Sequence, residues 1–303
     1  MNIKRYIKNY IKKVVTKLIT EEYKKEVFKY CKRELWNEIE KIENKKITKK
    51  IKNGRIKCYL GDELSKLIFV GDFEEKEAKF VRSFLEGGGV FVDIGANIGL
   101  HTIIAASALR KKGTVISFEP VRKSYERLKE NCDINKLQNV RSYRKGLSEE
   151  KGKKRIKTSQ DGYDAWNTFS DPSAGEEYEK EEVEVTTLDD MAEKDPDIGN
   201  ATLIKIDVEG WESAVIRGGQ KLLSPDEAPV LLVEFTDQNT RPGETCQDLY
   251  ELLRDLGYSL YEFGGAKKIR KHTPKEYYDY TNLIATKKFK LMKTRLGKEW
   301  KIV

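Results

Sequence analysis

The sequence predicts an α/β fold, in which helices cover both faces of a doubly wound, mostly parallel sheet. Three observations carry this prediction. A glycine turn joins an apolar strand to a helix, strands and helices alternate regularly around that turn, and several apolar strands end in acidic residues. Strands joined through a crossing helix lie parallel to one another, so the alternation itself predicts a parallel sheet.

The glycine turn lies in the stretch Val90 to Gly99, which reads V-F-V-D-I-G-A-N-I-G. Glycine has no Cβ, so Gly95 and Gly99 can adopt positive φ and let a ligand lie against the loop amides. The spacing differs from the dinucleotide fingerprint G-x-G-x-x-G. It resembles the turn of S-adenosylmethionine-binding proteins, in which the acid before the glycines, here Asp93, lies near the amino-acid end of the cofactor. The alternative is a tight corner that binds nothing.

A second apolar strand, Val115 to Phe118, ends in Glu119-Pro120. This acid follows the glycines by about twenty residues, the place in a βαβ unit where a carboxylate accepts hydrogen bonds from two ribose hydroxyls. The alternating elements predicted around the turn are strand 90–94, helix 99–109, strand 114–118, helix 122–135 and strand 140–145. Further along the chain, strands are predicted at 183–187, 201–207, 229–235, 258–263 and 282–286, with helices at 212–223 and 245–256.

Ligands of an open parallel sheet gather beyond the carboxyl ends of its strands. The segments that the sequence projects to this edge are mostly acidic. Such surroundings favour a positively charged sulfonium ligand and oppose a dinucleotide rich in phosphate. The projected segments are Asp93 to Asn97, Glu119, Gly146-Leu147-Ser148, Asp207-Val208-Glu209-Gly210 and Glu234.

One lysine stands inside an otherwise apolar strand. Strand alternation places Lys205 on the same side as Leu203 and Asp207. Burying a lysine is costly unless it is paired, so we expect Lys205 to meet a carboxylate or a ligand. Glu212 is predicted in the first turn of a helix, where the helix dipole favours an acid.

From about Leu67 to Thr286 the chain resembles the FkbM family of S-adenosylmethionine-dependent methyltransferases. The resemblance implies a class I methyltransferase fold, which is Rossmann-like and has a seven-stranded sheet with an antiparallel last strand. It also implies transfer of a methyl group to a hydroxyl oxygen, often on a sugar, glycolipid or natural product. The motifs that carry it are Gly71-Asp72-Phe73-Glu74, Val92-Asp93-Ile94-Gly95-Ala96-Asn97-Ile98-Gly99, Phe118-Glu119-Pro120, Thr187-Leu188-Asp189-Asp190, Lys205-Ile206-Asp207-Val208-Glu209-Gly210-Trp211-Glu212 and Asn282-Leu283-Ile284-Ala285.

A hydroxyl is a poor nucleophile near neutral pH, so we expect a general base unless the cofactor's own reactivity suffices. Asp207 is the first candidate and Glu209 the second, with Lys205 positioning a carboxylate or the acceptor oxygen. We expect no metal, although Asp207, Glu209 and Glu212 offer the oxygen ligands that Mg²⁺ prefers. His101 either lines the cofactor pocket or packs in the core. The expected cofactor-binding residues are Asp93, Gly95, Ala96, Asn97, Gly99, His101, Glu119, Pro120, Gly146, Leu147, Ser148 and Asp207.

Charge is distributed unevenly along the chain. Residues 1–57 contain 19 lysines and arginines against 7 acids, and residues 287–303 contain 7 against 1. Because the whole chain is only +8, the middle of the chain is net acidic. Nucleic-acid enzymes usually surround the active cleft with positive charge. The acidic middle therefore disfavours nucleic acid, while the basic ends keep an RNA methyltransferase open as an alternative. A further alternative is a non-catalytic membrane-associated protein on the same fold.

The sequence predicts a basic helical arm over 1–50, a methyltransferase domain over 51–286 and a basic tail over 287–303. A second helix is predicted from about Glu21 to Glu43, and a short strand over 66–70. The apolar stripe of that helix is expected in the core and consists of Val27, Phe28, Cys31, Leu35, Ile39 and Ile42. Within the arm, residues 3–19 are spaced so that a helix would carry apolar residues on one face and basic residues on the other. Such a helix either lies on an anionic membrane or packs on its own domain. No apolar run reaches the length of a membrane span, and the first twenty residues lack the apolar core of a secretion signal. The four cysteines lie far apart, which is typical of reduced thiols. We therefore expect a cytoplasmic protein.

Overall fold

The computed structural model describes residues 21–41, 46–159, 178–265 and 267–303. The chain divides into a small unit, which ends at residue 47 and resumes over 58–73, and a large unit of 48–57 and 74–303. The helix predicted over 3–19 and residues 160–177 of the polar segment that follows residue 151 lie outside the described residues. Within the described part, no helix is both long and apolar enough to cross a membrane.

Strands and helices alternate along most of the described chain. The strands are β1 (Lys46–Ile51), β2 (Gly54–Tyr59), β3 (Gly89–Ile94), β4 (Gly113–Phe118), β5 (Val140–Tyr143), β6 (Gly146–Leu147), β7 (Gly152–Ser159), β8 (Tyr178–Thr186), β9 (Leu203–Ile206), β10 (Val230–Phe235), β11 (Ser259–Gly265), β12 (Lys268–Lys271), β13 (Thr281–Thr286) and β14 (Lys301–Ile302). The helices are α1 (Glu21–Ile39), α2 (Glu63–Val70), α3 (Glu75–Leu85), α4 (Leu100–Leu109), α5 (Arg122–Ile134), α6 (Leu188–Lys194), α7 (Pro196–Gly199), α8 (Glu212–Arg217), α9 (Gln220–Leu223), α10 (Cys246–Asp255) and α11 (Phe289–Leu296).

The small unit corrects two expectations. The apolar run over 66–70 suggests a strand, but this stretch lies in α2, which starts at the N-cap Asp62 and ends at Gly71 with φ 89°. A short apolar run does not distinguish strand from helix, and here the cap residues decide. In α1 the expected core stripe faces outward, with Phe28 67% and Leu35 51% exposed. The buried side chain is Trp36, because one residue turns a helix by about 100°.

The large unit is built on a nine-stranded sheet in the order β14-β12-β11-β13-β10-β9-β3-β4-β5. The five strands from β10 to β5 are parallel, and β13 runs antiparallel to both β10 and β11. The antiparallel last strand of the resemblance is therefore present as β13. The expected count of seven strands is exceeded because β12 and β14 extend the sheet beyond β11. Strand order reverses between β3 and β9, which places the ligand edge there.

The two faces of the sheet bury separate apolar layers. One layer contains Val92, Ile204 and Val233, and the other contains Phe91, Leu203 and Leu232. Asp93 pairs in register with Lys205 on β9 and with Ser117 on β4. A row of polar side chains therefore crosses the middle of the sheet, on the face covered by α3 and α4.

The segment 287–303, expected as a separate basic tail, belongs to the large unit. Its helix α11 and strand β14 bring Met292, Leu296 and Trp300 into the core, at spacings of four residues. Lys293 and Lys298 between them are exposed, whereas Arg295 is half-buried and donates to the carbonyls of Phe84 and Gly88. The lysine content thus marks the exposed face of a packed helix, and the domain extends beyond the expected boundary at residue 286.

Candidate active site

Asp93 ends the first core strand and is 1% exposed. Its Oδ2 accepts a hydrogen bond of 2.6 Å from Thr102 Oγ1 at the start of α4. Its Oδ1 is buried and has no hydrogen-bond partner among the described residues. Burial raises the pKa of the Asp93 carboxyl, although Lys205 opposes this shift. The site therefore presents a buried oxygen that a donor or cation on a ligand would satisfy.

The glycine turn uses its own amides within the protein. The amides of Gly95 and Ala96 both donate to the Phe118 carbonyl at 3.0 Å, and the Gly99 amide donates to the Ala96 carbonyl at 2.8 Å. The Asn97 amide donates to Glu119 Oε2 at 2.8 Å. The expectation that a ligand lies against the Gly95 and Gly99 amides is therefore not supported by the geometry, since these donors are occupied. The carboxylates beside the turn, Asp93 and Glu119, suit a cationic ligand instead.

Glu119 follows β4 as predicted and is 5% exposed. Its Oε1 accepts from the Val121 amide at 2.9 Å, on the other side of Pro120, and its Oε2 accepts from Asn97. Each carboxylate oxygen can accept a second hydrogen bond, so the carboxylate retains capacity for ribose hydroxyls. Burial raises the pKa of Glu119 to about 7, against the opposing effect of the two amides.

Lys205 meets carboxylates, as the sequence predicted. Its Nζ forms an ion pair with Asp207 Oδ2 and lies 3.6 Å from Glu74 Oε2. Burial alone lowers the pKa of Lys205, but the charges of Asp207, Glu74 and Asp93 outweigh it and hold the pKa above its ordinary value. The lysine is therefore charged, and it orients Asp207 at the end of β9.

Glu74 is a site residue that the sequence reasoning quoted only as part of a family motif. It is 8% exposed, has φ 42° and precedes α3. Its Oε2 lies 2.6 Å from His101 Nε2, and its Oε1 accepts from Tyr280 Oη at 3.0 Å and Asn282 Nδ2 at 2.8 Å. Burial raises the pKa of Glu74, but Lys205 and His101 outweigh it, so its pKa lies below the ordinary value.

His101 thus belongs to this network and not to the apolar core. Its ring is buried at the start of α4 and binds Glu74 through Nε2. The positive φ of Glu74 marks a constrained position, because a non-glycine residue in that conformation is uncommon. A sequence alone does not display φ.

The second acidic motif forms a tight loop after β9. Glu209 has φ 52°, and its Oε2 accepts from Asn239 Nδ2 at 3.0 Å. Glu212 accepts hydrogen bonds from the amides of Val208 and Gly210 at 2.8 and 3.1 Å, and these bonds fix the loop between β9 and α8. The set Asp207, Glu209 and Glu212, considered for Mg²⁺, is therefore not the group that converges.

The acids that converge are Asp207, Glu209 and Glu234, each with one oxygen within 4.8 Å of the other two. Burial and the charge of Asp207 raise the pKa of Glu209 and the pKa of Glu234 well above the ordinary value. Burial raises the pKa of Glu212 to about 7. Four acids, Asp207, Glu209, Glu212 and Glu234, thus lie at one edge of the sheet. Among the described residues, the lysine that forms an ion pair with one of them is Lys205, which pairs with Asp207.

Gly146, Leu147 and Ser148 follow β5, where the sequence projected them. Leu147 is a core residue. Ser148 Oγ accepts from Trp211 Nε1 at 3.1 Å, and a Cβ on Gly218 would lie 2.0 Å from the Ser148 carbonyl oxygen. The predicted helix 212–223 divides into α8 and α9 at Gly218-Gly219, and the close approach leaves no room for a side chain at position 218. The role of these three residues toward a cofactor stays a prediction.

The residues of this edge fit a cationic nucleoside. Asp93 offers an unsatisfied buried oxygen, Glu119 has capacity for ribose hydroxyls, and acids surround the crevice. A phosphate-bearing cofactor would be repelled by the same acids. The sheet order together with this edge defines an S-adenosylmethionine-dependent methyltransferase of class I.

Comparison with known proteins agrees with this class. A family model described as the methyltransferase FkbM domain matches residues 93–260, more than half of the chain. Methyltransferase 1 of Beauveria bassiana (strain ARSEF 2860) is 24% identical over 142 residues, which cover 42% of this chain and 57% of that protein. The match thus spans little more than half of that relative. This chain belongs to the FkbM methyltransferase family, and its cofactor is S-adenosylmethionine.

Several solved structures are similar to the chain at low identity. They include the TYW2 protein of M. jannaschii in complex with AdoMet, with 16% identity, coverage of 80% of this chain and 85% of that chain, and a TM-score of 0.40. A SAM-dependent methyltransferase from Agrobacterium tumefaciens has 11% identity, coverage of 80% and 70%, and a TM-score of 0.42. An rRNA methylase from Streptococcus thermophilus has 11% identity, coverage of 69% and 91%, and a TM-score of 0.38.

Proposed function

We propose that this protein transfers a methyl group from S-adenosylmethionine to a hydroxyl oxygen of a sugar, glycolipid or natural product. The observation that supports it most directly is the Lys205–Asp207 ion pair at the carboxyl end of β9, with Glu209 beside it. A hydroxyl must lose its proton as it attacks, and these carboxylates are oriented acceptors for that proton. Much of the rate would come from alignment of the two reactants.

Different residues would bind the cofactor and accept the proton. Asp93 and Glu119 would hold the cofactor, which supplies an activated methyl group when bound. Asp207 or Glu209 accepts the acceptor's proton while Lys205 keeps Asp207 in place. Burial and the charge of Asp207 raise the pKa of Glu209, which makes its carboxylate a stronger proton acceptor than an ordinary one.

The acids around the crevice support a neutral or cationic acceptor over RNA. A polyphosphate backbone would approach Asp207, Glu209 and Glu234 against their charge. The basic segments 1–57 and 287–303 are the features that favour the RNA alternative.

The test is incorporation of label from methyl-labelled cofactor into glycan and glycolipid extracts, with RNA in a parallel reaction. We expect label in an alkali-stable ether of the glycan or lipid fraction. Asp207→Asn should reduce that incorporation at least 100-fold, the lower limit of a general-base contribution, whereas Glu227→Gln, at an exposed surface acid, should not change it. Label in RNA alone would replace the proposal by the RNA alternative.

We further propose that the protein acts in the cytoplasm and contacts anionic membranes through residues 1–20. The support is the sequence, in which lysines and arginine alternate with apolar residues and no acid interrupts them. Full-length protein should pellet with anionic phosphatidylglycerol vesicles and not with neutral ones. Equal pelleting after removal of residues 1–20 would contradict this role.

A further inference from the structure

We propose that Asp207, Glu209 and Glu234 bind a divalent metal ion. One carboxylate oxygen of each residue lies within 4.8 Å of the other two. Around one ion with metal–oxygen distances of about 2.1 to 2.6 Å, ligand oxygens are separated by at most about 5.2 Å. The three oxygens therefore already lie within the space of a single coordination sphere.

Glu234 provides the independent observation. It is 4% exposed on β10, and its Oε2 is buried without a hydrogen-bond partner in the part of the chain that the structure describes. Leaving a buried polar oxygen unsatisfied is costly, so such a group points to a missing partner. That partner must be a donor or a cation, and Glu234 lies in the same cluster as two further carboxylates.

The protein's own cation reaches one acid of this cluster, Asp207, and is shared with Glu74, which lies outside the cluster. Lys205 is engaged by Asp207 and lies 3.6 Å from Glu74. Asn239, which donates to Glu209, is neutral. Glu212 holds the loop between Asp207 and Gly210 through two backbone amides, so the loop that carries two of the three acids is fixed before any ion binds.

The donor set indicates the class of ion. Three carboxylates without histidine or cysteine suit a hard cation such as Mg²⁺, Mn²⁺ or Ca²⁺. An ion here would polarise the acceptor hydroxyl and lower its pKa. That role rests on the proposed function, whereas the binding of the ion does not.

The experiment titrates full-length protein, stripped with a chelator and free of cofactor, with MnCl₂ alone. Calorimetry and the electron paramagnetic resonance of free Mn²⁺ should both report one bound ion per chain. Glu234→Gln keeps the shape and removes the charge, and it should weaken Mn²⁺ binding at least tenfold, as should Glu209→Gln. Glu227→Gln, whose side chain is 89% exposed, should bind as the unmodified protein does.

The inference is overturned if the unmodified protein shows no saturable Mn²⁺ binding, or if both glutamine variants bind Mn²⁺ unchanged. Thermal unfolding verifies that the variants are folded, and either variant alone suffices for the comparison. Methyl transfer measured in excess chelator separates the two proposals. Full transfer to a hydroxyl without bound metal removes only the catalytic role of the ion, and metal binding without any hydroxyl transfer removes only the proposed acceptor.

Discussion

Gly95 and Asp207 are in direct contact through their backbones. A Cβ built on Gly95 would lie 1.7 Å from the carbonyl oxygen of Asp207, and Gly95 has φ 81°. The glycine turn after β3 is thus packed against the end of β9, which carries the proposed base. The glycine that the sequence assigned to cofactor approach is required first by this packing. The contact therefore links the glycine turn to the loop that follows β9.

Gly95→Ala should therefore disrupt both segments. An L-residue at this φ costs roughly 1–2 kcal/mol, and the clash with backbone adds to that cost. We expect the free energy of unfolding to fall by more than about 2 kcal/mol and binding of S-adenosylhomocysteine to be lost. Urea denaturation and calorimetry measure the two effects. The control is Gly199→Ala, where a Cβ meets only an atom at 3.8 Å and should be tolerated; equal effects at both positions would contradict the packing argument.

Removal of the central lysine should be far more costly than removal of a surface lysine. Lys205→Met leaves Asp207 and Glu74 without their buried cation, and breaking such a pair costs roughly 3–5 kcal/mol. Urea unfolding should show this loss. Lys221→Met is the matched control, since that ion pair with Glu193 is exposed to solvent and should contribute little to stability.

The double variant Lys205→Met with Glu74→Gln tests the same pairing from the other side. Neutralising Glu74 removes one of the charges that Lys205→Met leaves unpaired, so the double variant should unfold at higher urea than Lys205→Met alone. Additive losses from the two substitutions would show that Glu74 and Lys205 are not energetically coupled.

Site residues could be predicted from the sequence where their structural signals lie close together in the chain. Asp93, the turn to Gly99 and Glu119 were predicted because strand, turn and helix signals lie next to one another in the chain. Glu74 and Glu234 were not assigned their roles, because their partners come from distant elements that only the sheet order brings together. The exposed stripe of α1 was misassigned for the same reason: an apolar face predicts burial without showing which neighbour is present.

The folded C-terminal segment yields a prediction about stability. Trp300 is 4% exposed and lies edge-on to Phe80, with ring centroids 6.1 Å apart. Trp300→Ala should reduce the free energy of unfolding by roughly 3–5 kcal/mol, as for other buried large-to-small changes. Thermal or urea unfolding measures it. Tyr277→Ala, at a residue that is 55% exposed, should change stability by less than about 0.5 kcal/mol. A silent Trp300→Ala would mean that residues 287–303 are a dispensable tail.

Glu119 should make cofactor binding depend on pH. Burial raises its pKa in the folded protein from 4.5 to about 7. The ionised carboxylate accepts both ribose hydroxyls and the protonated form does not, so affinity for S-adenosylhomocysteine should rise as the pH increases through 7. The limiting slope below the pKa is about tenfold per pH unit. Calorimetry between pH 5.5 and 8.5 should show this rise, and Glu119→Gln should bind weakly with a flat profile.

Glu119 should affect stability in the opposite sense, because its contribution to the free energy of unfolding falls as the pH rises. An acid whose pKa is raised on folding binds its proton more tightly in the folded state, so its contribution to the free energy of unfolding decreases between pH 4.5 and about 7. The decrease is on the order of 3 kcal/mol for this buried group. Bound cofactor should offset it by favouring the ionised form. Stabilisation by S-adenosylhomocysteine should therefore be larger at pH 8 than at pH 6, and equal stabilisation at both would show that Glu119 does not contact the ribose.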